Sequence, residues 1–161
     1  MSFEGTYASE TPGAVDGTGV RAAVVVARFN ADVTERLLRG AQACFEEHDV
    51  QGVDVYRVPG AWELPQAAAR LAEAGLHDCI VALGCVIRGE TPHFHYVCDE
   101  ASRGLGHVAR GASMPVLFGV LTTDDRAQAM ARAGDGADNK GYESALAGLQ
   151  MAALYRELEA L

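Results

Sequence analysis

The stretch RGETPHFHYVCDE, which begins at Arg88, concentrates residues with chemical uses. Gly89 lets backbone approach a ligand closely. Thr91 followed by Pro92 signals a helix start, with Thr91 as N-cap and Pro92 at the first helical position. The unpaired N–H groups of such a start lie at the positive end of the helix dipole and make an anion site that suits a phosphate, with Glu90 and Thr91 beside it. His93 then falls in the first turn. A helix N-terminus favours imidazole over imidazolium, and a neutral imidazole beside an anion can shuttle protons. The plainer alternative makes His93 an ordinary polar residue of that turn. His93, His95, Cys98 and Asp99 also raise a metal reading. Residues two apart on a helix point to different faces, however, and no second ligand cluster exists elsewhere, so no metal is expected. His48, His77 and His107 read as solvent or helix-end residues.

Three further segments offer functional groups. PGAWE, from Pro59, sets Glu63 just before a helix, where it either accepts hydrogen bonds from hydroxyls or serves as a helix-entry acid. Trp62 is a ligand wall or core, and base rates favour core. In RFN, from Arg28, Phe29 has the flat ring for stacking, although taken alone it too reads as core. Arg132 lies near the end of a short helix, where a cation suits the dipole and where it could instead clamp a phosphate. Lys140 is the only lysine of the chain.

The elements that would position these groups alternate regularly. VRAAVVVA from Val20, VDVYRV from Val53, CIVALGCVI from Cys79 and MPVLFGVLTT from Met114 read as strands, the third covered on both faces. Helices are predicted between and after them. One starts at a capping box of Asp32 and Glu35, with Val33, Leu37, Leu38, Ala41 and Phe45 at helical spacing. A second has Pro65 in its first turn and Ala68, Leu71 and Ala72 on its apolar face. A third begins at Thr91. A short fourth is capped by Thr123 and ends at Gly134 and Gly136. A last one starts near Asn139, with Leu146, Leu149, Leu154 and Leu158 as its core stripe. Alternating strands and helices imply a parallel sheet covered on both faces: a three-layer α/β/α sandwich of about four strands and five helices. Residues 1–19, rich in glycine, read as an arm in which Phe3 and Tyr7 could pack somewhere, and 20–161 as one domain. Ligands on such sheets bind beyond the C-terminal strand ends, where the segments above fall.

Composition narrows the function. The chain has 161 residues, 49% of them hydrophobic, which suits one soluble core. A net charge of −9 makes nucleic acid and anionic membrane improbable partners. Neither a signal peptide nor a membrane span is expected. Cys44, Cys79, Cys85 and Cys98 form no C-x-x-C pair and read as free thiols in a reducing cytosol. No G-x-G-x-x-G follows the first strand, and neither a phosphate-binding G-x-x-x-x-G-K-[ST] nor a G-x-S-x-G occurs. The first strand also lacks the acidic cluster that a phospho-receiver domain needs for Mg²⁺.

Taken together, RFN (Arg28), VPGAWELP (Val58), GCVIRGETPHFHYV (Gly84), PVLFGVLTTD (Pro115), RAG (Arg132) and NKG (Asn139) resemble the lumazine synthase family, in register from about Gly17 to near the C-terminus. The resemblance implies a flavodoxin-like fold and the condensation of 5-amino-6-ribitylaminouracil with 3,4-dihydroxy-2-butanone 4-phosphate, without metal, flavin or nicotinamide. It implies that Phe29 stacks on the pyrimidine and that Ala61, Trp62 and Glu63 line the ribityl pocket. Cys85, Val86 and Ile87 would edge the pyrimidine through backbone groups. Glu90, Thr91 and Arg132 would hold the phosphate, with Lys140 near it. His93 would transfer protons, and Phe118 would pack on the ring from the adjacent subunit. Homopentamers, in some members stacked into icosahedral shells, are the implied assembly, and riboflavin synthase is a possible partner.

Two departures stand out. His95 replaces the family's usual Asp or Glu, and DGAD, from Asp135, replaces a basic, glycine-rich loop near subunit contacts. His95 favours one competing reading, a lumazine- or flavin-binding homologue without turnover. A structural shell or carrier is the other.

Overall fold

In the computed structural model, residues 15–161 are described, and they form a four-stranded parallel sheet between two layers of helices. The strands are β1 (Arg21–Ala27), β2 (Gly52–Val58), β3 (Cys79–Ile87) and β4 (Val116–Thr123), in the order β2-β1-β3-β4. The helices are α1 (Ala31–Glu47), α2 (Leu64–Ala74), α3 (His93–Gly111), α4 (Arg126–Ala131) and α5 (Lys140–Glu159), with a single 3-10 turn at Ala61–Glu63. Phe3 and Tyr7 lie outside the described residues. Further along the arm, Val15 packs on the core and the Gly17 N–H donates to the His48 carbonyl at 2.7 Å.

Period-two alternation sorts the sheet's side chains into two cores. Ala22, Val24 and Val26 of β1 join Val81, Leu83 and Cys85 of β3 beneath α1, α4 and α5. Ala23, Val25 and Ala27 join Ile80 and Ala82 beneath α2 and α3. Burial on both faces explains the unbroken apolar run of β3.

The helix starts differ from the sequence reading in informative ways. Asn30, not Asp32, is the N-cap of α1. It sits in the left-handed region at φ 59°, and its side-chain amide donates to the Cys85 carbonyl at 2.9 Å. The two acids expected to cap α1 bind distant partners instead: Asp32 pairs with Arg126, and Glu35 accepts both bonds of Arg57. Asp125, not Thr123, caps α4, accepting from the Gln128 N–H at 2.8 Å, because Thr123 is the last residue of β4. Pro92 occupies the N-cap position of α3, one residue later than predicted, and the Thr91 hydroxyl makes no cap bond.

The buried stripe of α5 is Gly141, Ser144, Ala145, Gly148, Leu149 and Ala152, while Leu154 and Leu158 are exposed. Helix geometry requires this: Leu158 is nine residues beyond Leu149, about two and a half turns, and so lies on the opposite face. Small residues are needed because α5 approaches α1 closely. A Cβ on Gly141 would stand 1.9 Å from the Leu37 carbonyl oxygen. His77, expected at the surface, is buried; it packs edge-on against Tyr56 and its Nε2 lies 2.7 Å from Asp54 Oδ2. Hydrogen bonding to His77 holds the Asp54 carboxyl below its ordinary pKa, and nearby Arg21 acts in the same direction.

Candidate active site

The C-terminal ends of the strands gather most of the predicted residues along one edge of the sheet. Ala27 pairs with Val58, which aligns the exits of β1 and β2 and sets Phe29 beside the PGAWE segment. The Phe29 N–H donates to the Pro59 carbonyl at 3.0 Å. Taken alone Phe29 and Trp62 read as core, whereas the family resemblance puts both against a ligand; they are 71% and 45% exposed. Both stand just beyond strand ends, where the two helical layers no longer cover the sheet, so both rings are available to a ligand or a neighbour.

Ala61 is buried in the 3-10 turn, and Glu63 closes that turn. Its N–H donates to the Gly60 carbonyl at 3.2 Å, and its Oε2 accepts from the Gly60 N–H at 3.0 Å. One carboxylate oxygen thus fixes the turn and the other is left for a hydroxyl donor.

β3 outruns β1. The β1–β3 ladder stops at Val26–Leu83, whereas the β3–β4 ladder continues to Ile87–Thr123. From Gly84 to Ile87, β3 therefore presents a backbone edge without a β1 partner, and the Asn30 amide takes the Cys85 carbonyl there. A flat heterocycle with donors and acceptors on its rim could bind to that edge as a strand would. The Cys85 thiol is buried, which pushes its pKa up to about 11 and makes it a packing group, not a nucleophile.

Beyond β3, Glu90, Thr91 and His93 are exposed at the start of the 19-residue α3. The first turn of a helix leaves N–H groups without intrahelical partners, the arrangement an oxyanion or phosphate needs, and His93 stands in that turn. Arg88 ties this loop to the next strand exit. Its N–H donates to the Thr123 carbonyl at 2.9 Å, and its Nε donates to Asp124 Oδ1 at 2.9 Å. The guanidinium also lies 4.6 Å from the Phe94 ring centroid and 3.4 Å from His95 Nε2. This bonding lowers the Asp124 pKa. Sequence reasoning missed Arg88, Asp124 and Asn30; the available signal was a charged or amide residue within three positions of a strand end.

Arg132 ends α4, exposed, and its guanidinium donates to the Gln128 carbonyl at 2.9 Å. Lys140 opens α5 and pairs with Glu143 at 3.1 Å, while its N–H donates to the Arg132 carbonyl at 2.9 Å. Phe118 does not join this edge. It is 41% exposed and pairs with Ala82 in mid-strand, five residues before Thr123, or about 16 Å along β4. Among the described residues, no group of three His, Cys, Asp or Glu side chains could hold a metal, and no helix is long and apolar enough to cross a membrane.

A family model for 6,7-dimethyl-8-ribityllumazine synthase matches residues 19–156. The 6,7-dimethyl-8-ribityllumazine synthase of Kineococcus radiotolerans is 55% identical over 138 residues, which cover 84% of this chain and 85% of its own length. That of Thermococcus gammatolerans is 49% identical over 143 residues, covering 89% and 92%. That of Thermococcus kodakarensis is 49% identical over 146 residues, covering 91% and 93%. Such identity along nearly the full length of both partners goes well beyond a shared fold: the chain belongs to the 6,7-dimethyl-8-ribityllumazine synthase family.

Proposed function

We propose that the protein condenses 5-amino-6-(D-ribitylamino)uracil with 3,4-dihydroxy-2-butanone 4-phosphate, giving 6,7-dimethyl-8-ribityllumazine, phosphate and water in the penultimate step of riboflavin biosynthesis. The observation that carries this reading is the meeting, at one sheet edge, of a β3 backbone rim that has no β1 partner with the N-terminus of α3 bearing His93.

The division of labour follows from that edge. The pyrimidine lies on the Cys85–Ile87 backbone and stacks on Phe29. Its ribityl chain runs towards Ala61, Trp62 and the free oxygen of Glu63. The phosphate sits at Glu90 and Thr91 on the α3 N-terminus, with Arg132 pairing to it and Lys140 nearby. The 5-amino nitrogen attacks the ketone, and loss of water gives an imine. Phosphate then leaves as an enol forms. The ketone formed from that enol is closed on by the ribitylamino nitrogen, and a second water is lost. Each stage moves a proton, and His93 is the group we assign to those transfers. Holding two substrates in register supplies much of the remaining acceleration, up to about 7–11 kcal/mol in favourable cases.

The catalytic unit comprises residues 20–161 and works in the cytoplasm as a homopentamer, with a riboflavin synthase as the partner that consumes the product. Exposed Phe118, far from its own chain's strand ends, supports a site shared between neighbouring subunits. The second reading, a binding homologue without turnover, draws on His95 alone. Purified protein mixed with both substrates should form lumazine, followed by absorbance and fluorescence, well above a no-enzyme control, and His93→Ala should reduce the rate. A rate equal to the control with the pyrimidine still bound would favour the binding homologue.

A further inference from the structure

We propose that Asn139 is a positioning residue that sets Arg132 for the phosphate of the substrate; this rests on the reading of Arg132 as the phosphate's partner. Asn139 is 2% exposed, and both polar atoms of its side chain are engaged twice. Its Oδ1 caps α5, accepting from the Gly141 N–H at 2.8 Å and the Tyr142 N–H at 3.1 Å. Its Nδ2 turns the other way, donating to the Gly134 carbonyl at 2.8 Å and the Arg36 carbonyl at 3.1 Å. The neighbouring Lys140 N–H takes the Arg132 carbonyl itself.

The loop after α4 is thus clamped at Arg132 and Gly134 by consecutive residues of the α5 start, and Arg36 ties the same knot to α1. Two glycines make room for it. A Cβ on Gly40 would lie 2.1 Å from Asn139 Oδ1, and one on Gly141 would strike the Leu37 carbonyl. Serine, threonine or aspartate would cap a helix as well. Only an amide adds two donors to the capping oxygen in one rigid plane, and here one donor holds the loop that follows Arg132 while the other holds α1. The backbone of Arg132 is therefore fixed while its guanidinium stays exposed for a ligand.

Two variants separate the cap from the clamp. Asn139→Asp keeps the capping oxygen and loses the donors; Asn139→Ser caps with a shorter side chain that does not span to Gly134 and Arg36. Each should raise KM for the dihydroxybutanone phosphate about tenfold to a hundredfold. KM for the ribitylaminouracil should stay within about twofold, and inhibition by inorganic phosphate should weaken by the same factor as the first KM. Added to Arg132→Ala, either substitution should cause no further loss, because both act through one group. If both Asn139 variants lower the melting temperature yet keep the wild-type KM for the phosphate substrate, Asn139 is a cap only and the proposal is overturned. Should Asn139→Asp fail to fold, Asn139→Ser decides on the same readouts. If Arg132→Ala itself leaves that KM unchanged, it is the assignment of Arg132 that falls, and this inference falls with it.

Discussion

His93 projects from the first turn of α3 with no hydrogen-bond partner among the described residues. A side chain so placed can be removed at little cost to the fold, which makes its substitution a clean test of chemistry. His93→Ala should lower kcat about 10² -fold, the lower end of what one acid–base group contributes, with the denaturation midpoint nearly unchanged. Unaltered kcat would remove His93 from the mechanism. Asp124 behaves differently with pH. Arg88 depresses its carboxyl, so the bridge is fully present above the ordinary carboxylate value of about 3.9 and is lost only as pH falls through the lower folded value. Across pH 5–9 the tie between the β3 and β4 exits should therefore stay intact. Any titration seen in kcat/KM over that range should persist, at the same midpoint, in Asp124→Asn. A displaced midpoint would mean that Asp124 takes part in the proton chemistry.

At the scale of elements, the contact between α1 and α5 is set by missing side chains. Gly141→Ala puts a methyl into the Leu37 carbonyl, and backbone on both sides must move to admit it. The expected cost is about 3 kcal/mol, read from the urea midpoint, and a neutral result would show that the helices can part freely. This contact also shows what a sequence hides. The run CIVALGCVI matches β3 residue for residue because both faces of that strand are buried, so local pattern and tertiary environment agree. α5 was found at its start, through Asn139, but its inward face was only half read: Leu146 and Leu149 do face the core, whereas Leu154 and Leu158 do not, and glycine and alanine take the rest of that face. Whether small residues face inward depends on how near α1 lies, which no local spacing encodes. The caps of α1 failed for a related reason: Asp32 and Glu35 are held by Arg126 and Arg57, 94 and 22 residues distant. In the candidate site, the order of groups after Arg88 was legible because it is one continuous segment. The exposure of Phe29 and Trp62 was not, since it reflects where the helical layers stop.

For the whole molecule, the edge that carries the candidate residues is an open shelf. A cavity of about 390 Å³ does exist, but it is lined by residues 133–137 together with Arg36, Arg39, Glu47 and Tyr142, and by none of the candidate site residues. Substrates with a ring, a polyol and a phosphate need more enclosure than the strand ends alone provide. A ring of five chains of 17.0 kDa, about 85 kDa, is the expected species in sedimentation velocity, and a fully active monomer would refute the shared site. A particle many times heavier would indicate stacking of pentamers despite the acidic DGAD loop.

The mid-strand location of Phe118 has a genetic counterpart. If one subunit lends its ring to the pocket of the next, a lesion at Phe118 and a lesion at His93 cripple different halves of each composite centre. Two defective polypeptides, Phe118→Ala and His93→Ala, denatured together and renatured as a mixture, should then complement one another. Random incorporation leaves about a quarter of the centres with both halves sound, so two feeble preparations would return a quarter of the normal activity. Merely blending the finished assemblies would return none.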